Sequence, residues 1–431
     1  MRIEKNGYIL YRKSKVGGKR MKAEIIAVGN EVVTGHTVNT NGSYLAKALQ
    51  KIGIMPYYQS AVRDEKEALQ DALNRAMGRT QLILITGGLG PTDDDLTKEA
   101  VCQYLGRPLV RREDCFLKMQ AYFQEKGHTM PENNNKQADF PEEAYILENK
   151  TGTAPGCILK EGEQFIVLLP GPPKEMQPMV EEGVLPYFEK LRQKGLYTLD
   201  IKLMGIGEST LAQKIAPYLG QVDQVNVATY VGDYEVIVRI TAQGKTKKEA
   251  KEYAENIKNN LSSCLEPYII GYNEDTLEEN ILKLLKEKHY TIATAESCTG
   301  GLLAATLINC SGVSACYEEG FVTYSNAAKH KYIGVKEETL RAYGAVSRET
   351  AKEMAEGVKK EAHSAIGLAT TGIAGPDGGT PFKPVGLVYI GIALGKETYV
   401  KELRLRGTRQ EVREQTVKRV LYELYKLLRQ I

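Results

Sequence analysis

Short, continuous apolar runs that stop at glycine or proline constrain the fold of this chain of 431 residues more than any other feature. Three of them lie in its first part, at 23–29, 81–86 and 164–169, and each precedes a polar or glycine-rich loop and then a helical pattern. Such runs are typical of strands buried on both faces of a mostly parallel sheet. We therefore predict an α/β domain with helices on both sheet faces over residues 21–191, including a helix that begins near Asp94.

The pattern changes near residue 197, where a smaller unit begins. Strands are predicted at 199–204, 225–230 and 234–242, and helices at 208–218 and 247–262. The turn Val231-Gly232-Asp233 is a hairpin signal between the two later strands. We interpret residues 197–272 as a small α+β module that acts as a spacer or a packing unit, because it carries no evident chemical motif.

A third unit spans residues 273–431 and again has an α/β pattern. Thr276 and Glu279 have the spacing of a capping box and predict a helix that begins there. Strands are predicted at 290–295, 320–323, 364–370 and 385–394, and helices at 302–309 and 408–430.

Composition narrows the class of protein. Lys and Arg number 57 and Asp and Glu number 54, so no broad nucleic-acid surface is indicated. The seven cysteines are scattered without a C-x-x-C pair, which favours free thiols in a reducing cytoplasm. No apolar run approaches the ~20 residues of a membrane span. We expect no nucleic-acid or membrane partner, and we interpret residues 1–20 as an extension or a misassigned start before Met21.

Three unusual loops in the third unit carry candidate chemistry. They are 296–301 (ESCTGG), 324–329 (YSNAAK) and 371–379 (TGIAGPDGG), and each follows a predicted strand. Ligands in open α/β sheets bind beyond the carboxyl ends of the strands, so we expect the three loops to share one crevice. The helix after the first loop offers free N–H groups for an oxyanion or a phosphate.

Nucleophile and base candidates lie in these loops. Ser297 and Cys298 are candidate nucleophiles, and Lys329 and Tyr324 are candidate bases. None of the three loops contains histidine, which favours a Ser–Lys or Ser–Lys–Tyr arrangement over a Ser-His-Asp triad. Lys329 would need a lowered pKa to accept a proton.

Structural alternatives remain open for each candidate. Ser297 could be a helix cap, and Lys329 could be a solvated surface residue. Cys298 is the second candidate nucleophile, with Glu296 as its acid, and the alternative is a small buried hydrophobic residue behind the turn.

Four ordered motifs carry a family resemblance: AESCTGG, GFVTYSN-x-x-K, GAVS and TGIAGPDGG. They resemble the signature of the carboxyl-terminal domain of the CinA (competence/damage-inducible protein A) family, over about residues 276–431. That family includes deamidases of nicotinamide mononucleotide. The resemblance implies a serine nucleophile at Ser297, completed by Tyr324, Lys329 and Thr371. It also implies hydrolysis of nicotinamide mononucleotide to nicotinate mononucleotide and ammonia, without a cofactor.

The mechanism that we expect assigns a role to each of these groups. Ser297 attacks the carboxamide carbon, Lys329 takes its proton, and Tyr324 relays or positions that proton. Thr371 with loop N–H groups holds the oxyanion. The 5′-phosphate would meet N–H groups of the glycine-rich loop and Arg409, whose alternative is a solvated residue at a helix start. The substrate-binding candidates in this domain are Gly300, Gly372, Gly375 and Arg409.

The first unit offers a second candidate site around GGLGPTDDD at 87–95. Gly88 and Gly90 would let backbone approach a phosphate or a pterin closely. Carboxylates near this stretch could hold a hard divalent cation, and helix capping is the alternative. The metal-ligand candidates are Glu31, Asp93, Asp94, Asp95 and Glu175.

These segments resemble the molybdopterin-binding fold at the amino end of CinA proteins, over about residues 21–191. The resemblance implies a three-layer α/β domain and hydrolysis of ADP-ribose to AMP and ribose 5-phosphate with Mg²⁺, Mn²⁺ or Co²⁺. We therefore expect a protein that acts on small nucleotides in pyridine-nucleotide salvage. We also expect a homodimer, because folds of this kind often bind ligands at subunit contacts. A different class of protein stays open: a molybdopterin-type binding protein, or an adaptor in transformation, without turnover.

Overall fold

The computed structural model describes residues 21–191, 195–222, 224–232 and 234–431. The predicted extension at 1–20 lies outside the described residues. The chain divides into two compact units: one runs up to Tyr197 and includes Gln243–Lys251, and the other comprises Thr198–Ala242 and Glu252–Ile431.

A six-stranded sheet forms the centre of the first unit. The strands of this part of the chain are β1 (Lys22–Val28), β2 (Met55–Val62), β3 (Leu82–Thr86), β4 (Val110–Arg111), β5 (Asp139–Phe140), β6 (Tyr145–Leu147), β7 (Gly156–Glu161) and β8 (Gln164–Leu169). The sheet order is β2-β1-β3-β8-β7-β6, and β4 pairs separately with β5. Strands β2, β1, β3 and β8 are parallel, and β7 and β6 are antiparallel. The prediction of a mostly parallel sheet is confirmed.

Helices cover both faces of this sheet. They are α1 (Asn30–Val33), α2 (Thr40–Lys51), α3 (Lys66–Met77), α4 (Thr97–Leu105), α5 (Glu113–Glu125), α6 (Pro173–Met179) and α7 (Leu185–Lys190), with a 3-10 segment at Glu132–Ala138 and a π-helical turn at Val180–Val184. Neighbouring strand residues face opposite ways: Ile25 packs with Leu45 of α2, whereas Ile26 packs with Leu73 of α3. Two apolar layers thus enclose the sheet, which gives the predicted three-layer domain.

One local prediction in this unit is wrong, and one strand was not predicted. The helix expected near Asp94 begins at Thr97, because Asp95 accepts hydrogen bonds from the backbone N–H and the hydroxyl of Thr92 and so closes a turn first. Strand β2 had no predicted counterpart: it lies at the sheet edge with much of its surface exposed, so it lacks a continuous apolar run.

The middle module has a five-stranded sheet in the order β10-β11-β12-β9-β13. Its elements are β9 (Gly195–Leu203), α8 (Glu208–Ile215), β10 (Gly220–Val222), β11 (Val225–Val231), β12 (Val236–Gly244), α9 (Lys247–Leu265) and β13 (Ile269–Tyr272), with 3-10 turns at Ala216–Tyr218 and Glu266–Tyr268. Strands β11 and β12 pair antiparallel, which confirms the predicted hairpin.

The carboxyl-terminal domain has a mixed sheet in the order β15-β14-β16-β17-β18. The strands are β14 (Ile292–Glu296), β15 (Tyr317–Val322), β16 (Ile366–Gly372), β17 (Leu387–Leu394) and β18 (Glu397–Arg404). Strands β15, β14 and β16 are parallel, so their carboxyl ends meet at one edge. Strands β17 and β18 run antiparallel.

Six helices complete the described part of this domain. They are α10 (Leu277–Glu287), α11 (Leu302–Ile308), α12 (Asn326–Ile333), α13 (Glu337–Tyr343), α14 (Arg348–Glu361) and α15 (Arg409–Gln430), with a 3-10 turn at Val313–Ala315. One apolar layer includes Ile281 of α10 and Val420 of α15, and the opposite layer includes Met354 of α14. The capping box of Thr276 and Glu279 is present as predicted.

Two further observations bear on the sequence expectations. All seven cysteines are free thiols. Among the residues that the structure describes, no helix combines the length and the apolar character that crossing a membrane requires.

Candidate active site

The three predicted loops meet at the carboxyl edge of the parallel strands. Ser297 directly follows β14, and its backbone N–H donates to the carbonyl of Thr370 in β16 over 2.9 Å. On the other side of β14, the N–H of Thr323 donates to the carbonyl of Glu296 over 2.8 Å. Backbone hydrogen bonds therefore fix the loops after β15 and β16 beside the turn that carries Ser297.

Lys329 lies directly beside Ser297. It is on the first turns of α12, a helix capped by the Ser325 hydroxyl, which accepts from the N–H of Ala328. The Nζ atom of Lys329 lies 2.9 Å from Ser297 Oγ and 2.8 Å from the carbonyl oxygen of Thr323. The carbonyl of Tyr324 is a third neighbour at 3.4 Å. The side chain is not a solvated surface lysine, because Lys329 has no exposed surface.

Burial sets the protonation behaviour of Lys329. It lowers the pKa of the ammonium from its ordinary value to about 8, since the charged form loses its hydration. In the described part of the chain, the three acceptors of this ammonium are a hydroxyl and two carbonyls, and none is a carboxylate. A substantial fraction of Lys329 is therefore neutral slightly above physiological pH, as a general base requires.

Glu296 supports the turn that follows it. Its buried carboxylate accepts hydrogen bonds from three backbone N–H groups, those of Gly301 (3.0 Å), Leu303 (3.0 Å) and Ala304 (2.8 Å). These N–H groups belong to the start of α11, where a helix lacks internal acceptors. Glu296 is thus a cap that fixes the turn, and its oxygens are not directed at Cys298 as a catalytic acid would be.

Cys298 is buried beside Ser297. Burial raises the pKa of its thiol to about 12, so the sulfur stays protonated and weakly nucleophilic. Both Cys298 and Ser297 are buried, and what distinguishes them is the amine of Lys329, which lies at the hydroxyl of Ser297. The geometry favours Ser297 as the nucleophile and Cys298 as a small buried residue behind the turn.

Thr371 contacts a different group from the one expected. Its hydroxyl donates to the carbonyl of Ala345 over 2.7 Å, and the residue is completely buried. A hydroxyl has one proton to donate, so in this conformation that proton is not directed at an oxyanion. Thr371 instead holds the GAVS segment, residues 344–347, against the end of β16. The neighbouring Thr370 pairs its hydroxyl with that of Thr299 over 2.6 Å.

Tyr324 and Arg409 meet on the exposed side of the crevice. Arg409 donates to the hydroxyl of Tyr324 over 3.1 Å and to the carbonyl of Gly375 over 2.8 Å. Tyr324 is 63% exposed, so it faces solvent rather than the buried amine. Gly300 and Gly375 both have positive φ, 59° and 82°, which L side chains rarely adopt. Arg409 is exposed to solvent, and its guanidinium also joins the second and third loops through these two hydrogen bonds.

Two residues of this site were not predicted from the sequence. Arg413 donates twice to the carbonyl of Thr299, over 3.2 and 2.8 Å. Lys383, which follows the glycine-rich loop, donates to the carbonyls of Tyr343 (2.6 Å) and Val346 (2.7 Å), and so joins its own segment to the end of α13 and to the GAVS segment. The one available signal was the position of Arg413, four residues after Arg409 on a helix and therefore on the same face.

In the amino-terminal domain, a short segment braces the GGLGPTDDD loop. The 3-10 segment 132–138 donates from the Gln137 amide to the carbonyl of Leu89 over 3.0 Å and from the Lys136 ammonium to the carbonyl of Thr92. Buried Lys98 in turn donates to the carbonyls of Lys136 (2.8 Å) and Gln137 (2.9 Å). Two loop glycines lie close to side chains: a Cβ at Gly88 would collide with Thr97, and one at Gly90 with Asp95.

The predicted metal ligands do not form one compact set. Among the described residues, no group of three or more His, Cys, Asp or Glu side chains is placed to hold a metal ion. Asp95 is engaged by Thr92, and Glu175 accepts from the Asn149 amide over 2.6 Å. Asp64, which was not predicted, has its pKa raised by burial and then by the nearby carboxylates Glu31, Asp94 and Asp95. The acidic groups on this side are thus neighbours without being a preformed cage.

Comparisons with known proteins match three successive segments of the chain. Residues 274–428 match the CinA C-terminal domain, 24–190 match a probable molybdopterin binding domain, and 200–271 match the damage-inducible protein CinA KH domain. These matches define an α/β protein with three segments in sequence order: a molybdopterin-binding-type domain, a KH-type module and a CinA domain. The chain belongs to the CinA family.

One relative and two solved structures illustrate the similarity. The CinA-like protein of Kosmotoga olearia is 46% identical over 393 residues, which cover 91% of this chain and 95% of that protein. The structure of competence/damage inducible protein CihA from Agrobacterium tumefaciens is 42% identical, covers 34% of this chain and 91% of its own, and has a TM-score of 0.34. The CinA structure from Thermoplasma acidophilum is 33% identical, covers 38% and 96%, and has a TM-score of 0.35.

Proposed function

We propose that the carboxyl-terminal domain hydrolyses the carboxamide of nicotinamide mononucleotide to give nicotinate mononucleotide and ammonia. One observation carries the proposal: a fully buried lysine, whose pKa is lowered to about 8, lies 2.9 Å from the hydroxyl of Ser297. A serine hydroxyl is a weak nucleophile by itself and needs a base within hydrogen-bond distance. The Ser297–Lys329 pair supplies both groups without histidine.

The neighbours of Lys329 suit a neutral amine. Such an amine has two N–H groups and one lone pair, and the carbonyls of Thr323 and Tyr324 can accept both N–H groups. The lone pair is then left for the Ser297 hydroxyl. This arrangement orients the base toward its proton, which is the geometric requirement for general-base catalysis.

The proposed reaction proceeds in two halves. Ser297 Oγ bonds to the carboxamide carbon while its proton passes to Lys329, and N–H groups of residues 298–300 stabilise the oxyanion. The C–N bond then breaks, and the leaving nitrogen takes the proton from Lys329 and departs as ammonia. Water attacks the ester on Ser297, gives its proton to Lys329, and the serine oxygen leaves and regains that proton. Nicotinate mononucleotide is released and the enzyme is restored.

The substrate side of the crevice is assigned to Tyr324, Arg409 and the glycine-rich loop. We propose that Arg409 and N–H groups from Gly372 to Gly379 hold the 5′-phosphate, and that Tyr324 orients Arg409 through their 3.1 Å hydrogen bond. Thr371 is assigned a supporting role, because its hydroxyl holds Ala345.

No cofactor enters this reaction. The wider proposal is a cytoplasmic homodimer in pyridine-nucleotide salvage.

A second proposed activity belongs to the amino-terminal domain. We propose metal-dependent hydrolysis of the pyrophosphate bond of ADP-ribose, with AMP and ribose 5-phosphate as products. The observation that favours it is the braced glycine loop beside Asp64, Glu31, Asp94 and Asp95. Carboxylate oxygens fit a hard divalent cation, which would neutralise the pyrophosphate and activate water.

The test of the deamidase proposal is ammonia release from nicotinamide mononucleotide by the purified full chain, with the nucleotide product identified by chromatography. We expect Ser297→Ala to abolish release and Cys298→Ala, its matched neighbour, to retain it. Circular dichroism should show both variants folded. Undiminished release by folded Ser297→Ala would remove Ser297 from the mechanism. The absence of release by the native chain would favour a binding protein or adaptor without turnover.

A further inference from the structure

We propose that Lys98 is a positioning residue for the amino-terminal site, which acts by holding the 3-10 segment 132–138 against the GGLGPTDDD loop. The inference rests on the proposed hydrolysis of ADP-ribose and deepens it, because it adds a residue that lies behind the loop and does not touch the ligand. It begins from the place of this lysine in the fold. Lys98 is the second residue of α4, and only 4% of it is exposed.

The surroundings of Lys98 are unusual for a lysine. Its Nζ atom donates to the carbonyls of Lys136 (2.8 Å) and Gln137 (2.9 Å) and lies 4.2 Å from the centre of the Phe140 ring. Across the described residues, this ammonium forms no ion pair with a carboxylate, and burial lowers its pKa to about 8. A buried cation without a counter-charge is unfavourable, and an apolar side chain of similar length would avoid that penalty. The contacts that only Lys98 makes therefore point to a role beyond packing.

The two residues that Lys98 holds are the ones that hold the loop. The Gln137 amide donates to the carbonyl of Leu89 over 3.0 Å. The Lys136 ammonium donates to the carbonyl of Thr92 and, over 2.9 Å, to that of Asp95. Lys98 thus fixes the main chain of the 3-10 segment, and side chains of that segment fix three carbonyls of the loop.

The direction of these three carbonyls sets the direction of the next N–H groups. In a planar trans peptide unit, the C=O and the following N–H point opposite ways. The N–H groups of Gly90, Asp93 and Leu96 therefore point away from the 3-10 segment. Main-chain N–H groups held in this way suit the oxygens of a pyrophosphate. Binding then does not have to order the loop, which favours both affinity and the geometry of the reaction.

The first test needs no ligand and no turnover. Hydrogen exchange of the full chain, followed by mass spectrometry, would compare peptides that cover residues 88–97 in the native protein and in Lys98→Met, which keeps the length of the side chain but loses its donors. We expect the loop amides of this variant to exchange at least about tenfold faster. Lys47→Met, which removes an exposed ammonium from α2, and Leu49→Ala, which opens a cavity in the opposite apolar layer, are the controls. Both should leave exchange of the loop unchanged.

The second test measures kcat/KM for AMP release from ADP-ribose with Mg²⁺. Lys98→Met should lower it by about 10- to 100-fold, because the loop donors lose their alignment. Ammonia release from nicotinamide mononucleotide by the same chain should stay within about twofold of the native value. Lys136→Met should also lower AMP release. The double variant should lose no more than about the larger single loss, because both residues act through one segment, whereas independent effects would multiply.

The outcomes separate this inference from the proposed hydrolysis. If the native chain releases no AMP while Lys98→Met still speeds exchange of the loop, the hydrolysis fails and the positioning of the loop by Lys98 stands. Unchanged exchange in Lys98→Met would overturn the inference, as would faster exchange with native AMP release. Losses that multiply in the double variant would also overturn it, because Lys98 would then act independently of the 3-10 segment.

Discussion

Lys329 and Ser297 are 32 positions apart in the sequence and form a 2.9 Å hydrogen bond within the carboxyl-terminal domain. The side chain of Lys329 is completely buried, and its two other acceptors are backbone carbonyls. Serine and lysine so placed form a nucleophile and a base only when the lysine is neutral. The pH dependence of the proposed reaction is therefore the first consequence of this contact.

We predict that kcat/KM for ammonia release rises with pH and levels off above an apparent pKa near 8. Below that value the ammonium form of Lys329 dominates and cannot accept a proton, so the rate should fall about tenfold per pH unit. Ammonia release from pH 6 to 10 measures this. Lys329→Met should lose at least about 10²-fold in rate. A rate that is independent of pH across this range would contradict the role of Lys329 as the base.

Stability should also respond to the protonation of Lys329. Burial lowers its pKa from 10.5 to about 8, so between these values the unfolded chain binds more protons than the folded chain and stability rises with pH. Below pH 8 the buried charge costs on the order of 3 kcal/mol. We predict that the stability of Lys329→Met relative to the native chain decreases as pH rises from 8 to 10.5. Denaturant unfolding at several pH values tests this, and a constant difference would contradict it.

Glu296 should matter for stability and, through the turn, for catalysis. Its carboxylate satisfies three N–H groups at the start of α11, so Glu296→Ala should destabilise the protein by about 2 to 4 kcal/mol and reduce ammonia release. Glu411→Ala is the control, because Glu411 caps α15 at an exposed position and its loss should therefore cost distinctly less than that of Glu296. Equal losses from the two substitutions in urea unfolding would show that burial of the Glu296 cap adds nothing.

Removal of divalent metal should separate the two proposed activities. A chelator should abolish AMP release from ADP-ribose, and added Mg²⁺, Mn²⁺ or Co²⁺ should restore it, because the pyrophosphate needs a cation beside the carboxylates. Ammonia release from nicotinamide mononucleotide should be unchanged, since Ser297 and Lys329 need no metal. Gly90→Ala, whose Cβ would collide with Asp95, should impair only AMP release. Loss of both activities on chelation would contradict this division.

Much of the fold could be predicted because buried strands have a strong local signal. Strands β1, β3 and β8 are largely apolar and are followed by glycine or proline, and each lies in the sheet as expected. Strand β2 has no such run, because it lies at an edge where many of its residues face solvent. An edge strand is defined by the neighbour that it pairs with, and a local sequence pattern does not contain that neighbour.

The residue types of the site could be predicted from the sequence, but the groups to which their side chains donate could not. The sequence brought Ser297 and Lys329 to one crevice because both follow parallel strands that end at the same edge. It did not reveal that the Thr371 hydroxyl donates to Ala345, or that Arg413 donates to Thr299. The acceptors in both contacts are backbone carbonyls of distant loops, and every residue type offers the same carbonyl.

The amine of Lys329 owes its orientation to main-chain oxygens of Thr323 and Tyr324. Replacing either side chain leaves those oxygens in the polypeptide, so an alanine scan of the surrounding shell would overlook the atoms that aim the base. Side chains around Lys329 could then be exchanged with little effect, whereas the backbone conformation there could not change. Insertion or deletion of one residue between β15 and α12 would be far more damaging than any exchange of side chains there.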